Sequence, residues 1–112
     1  MRGVILVVDD RETVRQSARI ALEDAGYRVL DADLPLRAIA LAQDAPVDLL
    51  ISEIVMPQMD AFELAQRVAT TAPGVEVLFT SGYTDAREEG HFLRKPFTPK
   101  QLVEKVEAIL GA

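Results

Sequence analysis

Cysteine is absent from the 112 residues, which removes disulfides, thiolate nucleophiles and cysteine-ligated metals from consideration. Long apolar runs are absent too. The longest early one, Val4 to Val8, is far too short to span a bilayer, and the two aspartates that end it are unlike a signal-peptide core. Basic charge is scarce, with 12 Lys and Arg against 18 Asp and Glu, a formal net charge of -6. Phosphate contacts need clustered Lys and Arg, so nucleic-acid binding by this domain is not expected. The only histidine, His91, stands apart from any nucleophile or metal cluster. There is no internal repeat, low-complexity tract or linker. A reducing, cytoplasmic setting is compatible with the missing cysteine without being fixed by it.

What is present is apolar residue, 49% of the chain, enough for one domain over residues 1–112 with a single core. Short β-branched runs alternate with helical patterns. "VILVV" (Val4–Val8) reads as a strand buried on both faces. From Glu12 to Ala25, Val14, Ala18, Ala21, Leu22 and Ala25 form a 3.6-residue stripe that Gly26 stops. "YRVLDA" (Tyr27–Ala32) is a second strand, and Pro35 to Gln43 a second helix with Leu36, Ile39 and Ala40 inward. "DLLIS" (Asp48–Ser52) is a third strand. Ala61, Leu64, Ala65, Val68, Ala69 and Ala72 mark a third helix, "VEVLFT" (Val75–Thr80) a fourth strand and "HFLRK" (His91–Lys95) a fifth. Thr98-Pro99-Lys100-Gln101 has the form of a capping box with proline in the first turn, opening a helix that buries Leu102, Val103, Val106, Ile109 and Leu110.

Strict alternation of apolar strands and helices predicts an α/β fold with a parallel sheet covered on both faces. In such sheets functional groups gather at the carboxyl ends of the strands. Asp9 and Asp10, Glu53, Ser81 and Lys95 then share one edge. Four strand ends feed polar groups into one cleft.

The motifs "ILVVDD", "DLLISEIVMPQMD", "LFTSGY" and "FLRKPFT", in that order, resemble those of the receiver domains of two-component response regulators and hybrid histidine kinases. The likeness covers the whole chain. It implies a flavodoxin-like (βα)5 three-layer sandwich with five parallel strands, and a signalling module of a two-component or phosphorelay system, not an enzyme. By resemblance, Asp9 and Asp10 match the acidic pair that binds Mg²⁺, and Val55 the position whose backbone carbonyl also ligates it. Ser81 matches the hydroxyl, and Lys95 the ammonium, that contact the phosphoryl group; Ser81 and Phe92 match the switch positions. Lys95-Pro96 matches the family's cis peptide. Glu53, a further metal ligand by the same resemblance, falls where the family has its phosphoaccepting aspartate. Implied partners are a histidine kinase, a phosphotransfer protein or another signalling protein, with Mg²⁺ as cofactor and a cytoplasmic location.

Three departures bear on mechanism. Phosphoryl transfer here is mostly positioning plus charge neutralisation. Glutamate adds a methylene that moves the carboxylate outward by roughly 1.5 Å, and a misplacement of about 1 Å can cost on the order of a hundredfold in rate. Glu53 is therefore expected to reach toward Ser81 and Lys95, to accept phosphate poorly, and to imitate the charged state in part, with -1 against about -2. Second, Arg11 stands where the family usually has a third acid. Two carboxylates at about 4 Å repel by about 4 kcal/mol at an effective dielectric near 20, so Mg²⁺, Lys95 or Arg11 must offset them; Arg11 either does so or points into solvent. Third, only the thirteen residues Gly82 to Arg94 separate Ser81 from Lys95. With the fifth strand beginning at His91 the connection is Gly82 to Gly90, nine residues, below the at least about 10–12 that a helical crossover needs, so "TDAREEG" is expected to form at most one helical turn, leaving the fourth helix shortened or absent. Ala61, in place of the family's glycine, is a smaller departure.

Two functional classes follow. The first is a degenerate or constitutively biased receiver acting through protein–protein contacts; its variant is a Mg²⁺-dependent receiver that still takes a phosphoryl group. The second is a small metal-assisted hydrolase using the same acids, disfavoured because no nucleophile–base pair or substrate pocket is discernible.

Overall fold

A computed structural model describes residues 2–82 and 91–111. Strands β1 (Val4–Val8), β2 (Arg28–Ala32), β3 (Leu49–Glu53), β4 (Glu76–Ser81) and β5 (His91–Arg94) form one parallel sheet in the order β2-β1-β3-β4-β5. Helices α1 (Glu12–Asp24), α2 (Pro35–Gln43), α3 (Ala61–Thr71) and α4 (Pro99–Leu110) cover it. The order reverses at β1, and β1 and β3 lie side by side as the central strands. That juxtaposition puts the ends of β1 and β3 at the switch point, where such sheets place their sites.

All five residues of β1 are buried, as a strand with helices on both faces requires. Its side chains alternate between two cores. Ile5 and Val7 join Leu22, Tyr27, Leu49, Leu78, Leu102 and Val106 under α1 and α4. Leu6 and Val8 join Ala38, Ala42, Leu50, Leu64 and Val68 under α2 and α3. Glycine closes α1: Gly26 has φ +98, and its N–H bonds back to Glu23, a conformation that a side chain would strain.

Helix α4 opens on the capping box expected from its sequence, with Thr98 Oγ1 accepting from Gln101 N–H and the Gln101 side chain accepting from Thr98 N–H. Asp60 caps α3 in the simpler way, accepting from Phe62 N–H at 2.7 Å. The inward face of α2 differs from expectation. Pro35, Ala38 and Ala42 are buried, whereas Leu36 is 53% exposed and Ala40 is exposed as well. Nearly every position of this nine-residue helix is apolar, so its stripe is ambiguous by pattern, and small side chains let it sit close on the sheet. The expectation of at most one turn in "TDAREEG" lies outside the described residues.

Candidate functional site

Asp9 follows β1 directly and is 2% exposed. Its Oδ1 accepts from the N–H of Arg11 at 2.9 Å, so the acid caps the turn leading into α1. Its Oδ2 accepts from the ammonium of Lys95 at 2.7 Å. Glu53 is the last residue of β3, and its side chain is 12% exposed. Its Oε1 lies 3.3 Å from Lys95 Nζ, and its Oε2 accepts from Ile54 N–H at 2.9 Å. Lys95 thus stands between two carboxylates held by neighbouring strands.

The lysine is delivered there by backbone. Its N–H donates to Ser81 O at 2.8 Å, which continues the β4–β5 ladder one residue past Arg94. The Lys95-Pro96 peptide is cis. Ser81 closes β4 and is 2% exposed. Phe92, on β5 opposite Phe79, is only half-buried, because β5 is an edge strand.

Burial raises the Glu53 carboxyl above its usual range; the charge and hydrogen bond of Lys95 and the Ile54 N–H pull it down, and Asp9 pushes it up. The net direction is upward. Leaving water outweighs gaining the lysine as a partner.

Beside these groups lies a cleft of about 670 Å³ between the start of α1 and the segment after β5, lined by Arg11, Thr13, Ser17, Glu53, Lys95 and Phe97 among others. Arg11 is exposed, and among the described residues its guanidinium makes no ion pair. Its backbone amide, rather than its charge, serves Asp9. The structure therefore brings together Asp9, Glu53 and Lys95, sets Ser81 on the adjoining strand end, and leaves Asp10 exposed without a hydrogen bond or ion pair among the described residues. Val55 is 57% exposed in the loop after β3.

A hard divalent cation takes converging oxygen donors in near-octahedral geometry. Among the described residues no three His, Cys, Asp or Glu side chains are gathered to hold one. Both oxygens of Asp9 and both of Glu53 already accept hydrogen bonds. As arranged, each of these oxygens keeps a second lone pair, so a Mg²⁺ would share the Asp9 and Glu53 carboxylates with Lys95, beside the exposed Asp10.

Sequence reasoning missed two residues. Arg15 on α1 donates from Nη1 to the backbone carbonyl of Asp9 at 2.9 Å, and Asp31 on β2 stands behind it. The one available signal was an arginine on the buried side of a helix beginning, which periodicity does not interpret.

Residues 5–107 match the sequence profile of the response regulator receiver domain. The chain belongs to that receiver family. It is 35% identical to the response regulator receiver protein CpdR of Brucella abortus, covering all of this chain and 99% of that protein. It is 33% identical to the sensor kinase CckA of the same organism, matching 96% of this chain but 12% of that protein. Among solved structures, the receiver domain of the hybrid histidine kinase CckA is 37% identical with a TM-score of 0.86, covering 96% of this chain and 99% of that one. The chemotaxis protein CheY4 of Vibrio cholerae is 30% identical with a TM-score of 0.88, covering 96% and 98%. The receiver is a two-component signalling domain with a flavodoxin-like fold, and among the described residues no helix is long and apolar enough to cross a membrane.

Proposed function

We propose that this receiver is biased by Glu53 instead of being switched by phosphorylation, and that it acts by binding a histidine kinase, a phosphotransfer protein or another signalling protein in the cytoplasm. The observation that carries the reading is the 3.3 Å contact between Glu53 Oε1 and Lys95 Nζ. Glutamate's extra carbon brings a carboxylate to the ammonium that a phosphoryl oxygen of a modified receiver would otherwise meet. The imitation is partial, because the carboxylate carries one charge and the phosphoryl group about two. No covalent chemistry by the domain itself is needed.

The second reading keeps the relay chemistry, with Asp9, Asp10, Glu53 and the carbonyl of Val55 around Mg²⁺ and phosphate accepted at Glu53. It is favoured by one observation, that Glu53 lines the open cleft. Incubation with a small phosphoryl donor, with and without Mg²⁺ and read by intact mass, separates the two. The first expects wild type to stay unmodified while Glu53→Asp gains a phosphoryl group. Labelling of wild type at the rate of Glu53→Asp refutes it.

A further inference from the structure

Every polar atom of Asp9 is engaged. Its N–H donates to Ala32 O at 3.2 Å, Oδ1 accepts from Arg11 N–H, Oδ2 accepts from Lys95, and its carbonyl accepts from Arg15 Nη1 at 2.9 Å. The first two partners are backbone groups and the third is the bridging lysine. The fourth comes from a side chain that makes no hydrogen bond or ion pair with Lys95 or Glu53 among the described residues.

Arg15 is 13% exposed, and its Nε lies 3.5 Å from Asp31 Oδ1, within ion-pair range but without hydrogen-bond geometry. Asp31 sits on β2 opposite Val7, and it also pairs with Arg19, which reaches Glu23 at 3.3 Å. A row of alternating charges therefore leads from the exposed face of α1 to the buried acid. The end of a strand is where the chain is free to turn, and only one rotation about the Asp9 backbone separates its carbonyl from its carboxylate. Holding the carbonyl removes that rotation, and the Arg11 N–H on Oδ1 and Lys95 on Oδ2 hold the two side-chain torsions that remain.

We propose that Arg15 is a positioning residue for the pocket. Held from behind by Asp31, it fixes the Asp9 carbonyl and so the carboxylate that Lys95 must meet. The bridge from Asp9 through Lys95 to Glu53 depends on it, although it lies outside the cleft. The guanidinium fork is required, since it serves a carbonyl with one nitrogen and a carboxylate with another; an ammonium is a single point charge on a flexible stem. This inference rests on the Lys95 bridge invoked under the proposed function.

The test is the nitrogen-edited NMR spectrum of the lysine ammonium groups in the whole chain. Lys95, 16% exposed and held by two carboxylates, is expected to give a slowly exchanging signal in wild type. In Arg15→Met its exchange should quicken by about tenfold, the scale of one charge-assisted hydrogen bond, while the amide signals of α4 keep their positions. Asp31→Asn should act in the same direction by less, and Arg15→Lys should fail to restore wild-type behaviour. Arg67→Gln, which loses only its pair with Glu63 on α3, should change nothing. General loosening of the fold would move α4 as well. A Lys95 signal present in wild type but unaltered in Arg15→Met and Asp31→Asn overturns the positioning role; if Arg15→Met does not fold, Asp31→Asn decides alone. A wild type with no slowly exchanging Lys95 signal overturns the bridge itself, and the role of Arg15 with it.

Discussion

The ammonium of Lys95 meets the carboxylate of Asp9 at 2.7 Å, across a separation of 86 residues in the chain. Asp9 is almost wholly buried and Lys95 largely so, whereas Glu53 makes the longer contact at 3.3 Å. The lysine is primarily the partner of Asp9. Glu53 borrows from a charge already committed, which is why burial still prevails over attraction at its carboxyl. Burial is the chief reason that the Glu53 carboxyl is raised, and the charge of Asp9 adds least.

Removing the lysine should therefore be costly. Lys95→Met leaves Asp9 charged and buried with only the Arg11 amide to compensate it, and breaking a buried pair from one side typically costs about 3–5 kcal/mol. Urea unfolding at pH 7 is expected to show a loss near the lower end, because Asp9 keeps its backbone donor.

Glu53 should contribute to the pH dependence of stability with an unusual sign. Its carboxyl is raised in the folded chain, so folding binds a proton that the unfolded chain releases above about pH 4.3. The contribution is complete below that value and fades as pH rises through the folded one. Thermal unfolding of Glu53→Gln is then expected to gain on wild type between pH 4 and pH 7. The opposite trend would mean that attraction to Lys95 outweighs burial.

Metal binding should compete with the lysine. Mg²⁺ and the ammonium would draw on the same two carboxylates, Asp9 and Glu53, so calorimetry is expected to find tighter Mg²⁺ binding to Lys95→Met than to wild type. Equal affinities would show that the ion and the ammonium occupy separate places.

Away from the site, Thr98→Ala removes the hydroxyl that accepts from Gln101 N–H at the start of α4, while the Thr98 N–H can still donate to the Gln101 side chain. A loss of about 1 kcal/mol is expected in denaturant unfolding, with the Lys95 contacts unchanged.

The alternation of elements was legible because each strand is a short apolar run and each helix except α2 shows a clear stripe closed by glycine or proline. Boundaries slipped by a residue: β3 ends on Glu53 rather than Ser52 and β4 on Ser81 rather than Thr80, since ladder bonds extend past the last apolar side chain. The convergence of Asp9, Glu53, Ser81 and Lys95 on one edge followed from topology alone. Which acids the lysine would select did not. Asp9 and Asp10 look alike in sequence, but β1 buries one while the turn into α1 exposes the other. The contribution of Arg15 was equally illegible, because it depends on the register that sets Asp31 opposite Val7, and no local pattern encodes a pairing across strands.

Whether Glu53 imitates a phosphoryl group is decided by amide NMR spectra of three samples: wild type, Glu53→Asp, and Glu53→Asp carrying a phosphoryl group. Resonances of Ser81, Phe92 and Lys95 in wild type are expected to lie between those of the two aspartate samples, displaced toward the modified one. Wild-type resonances that overlay the unmodified aspartate protein would mean that Glu53 is only an inert replacement.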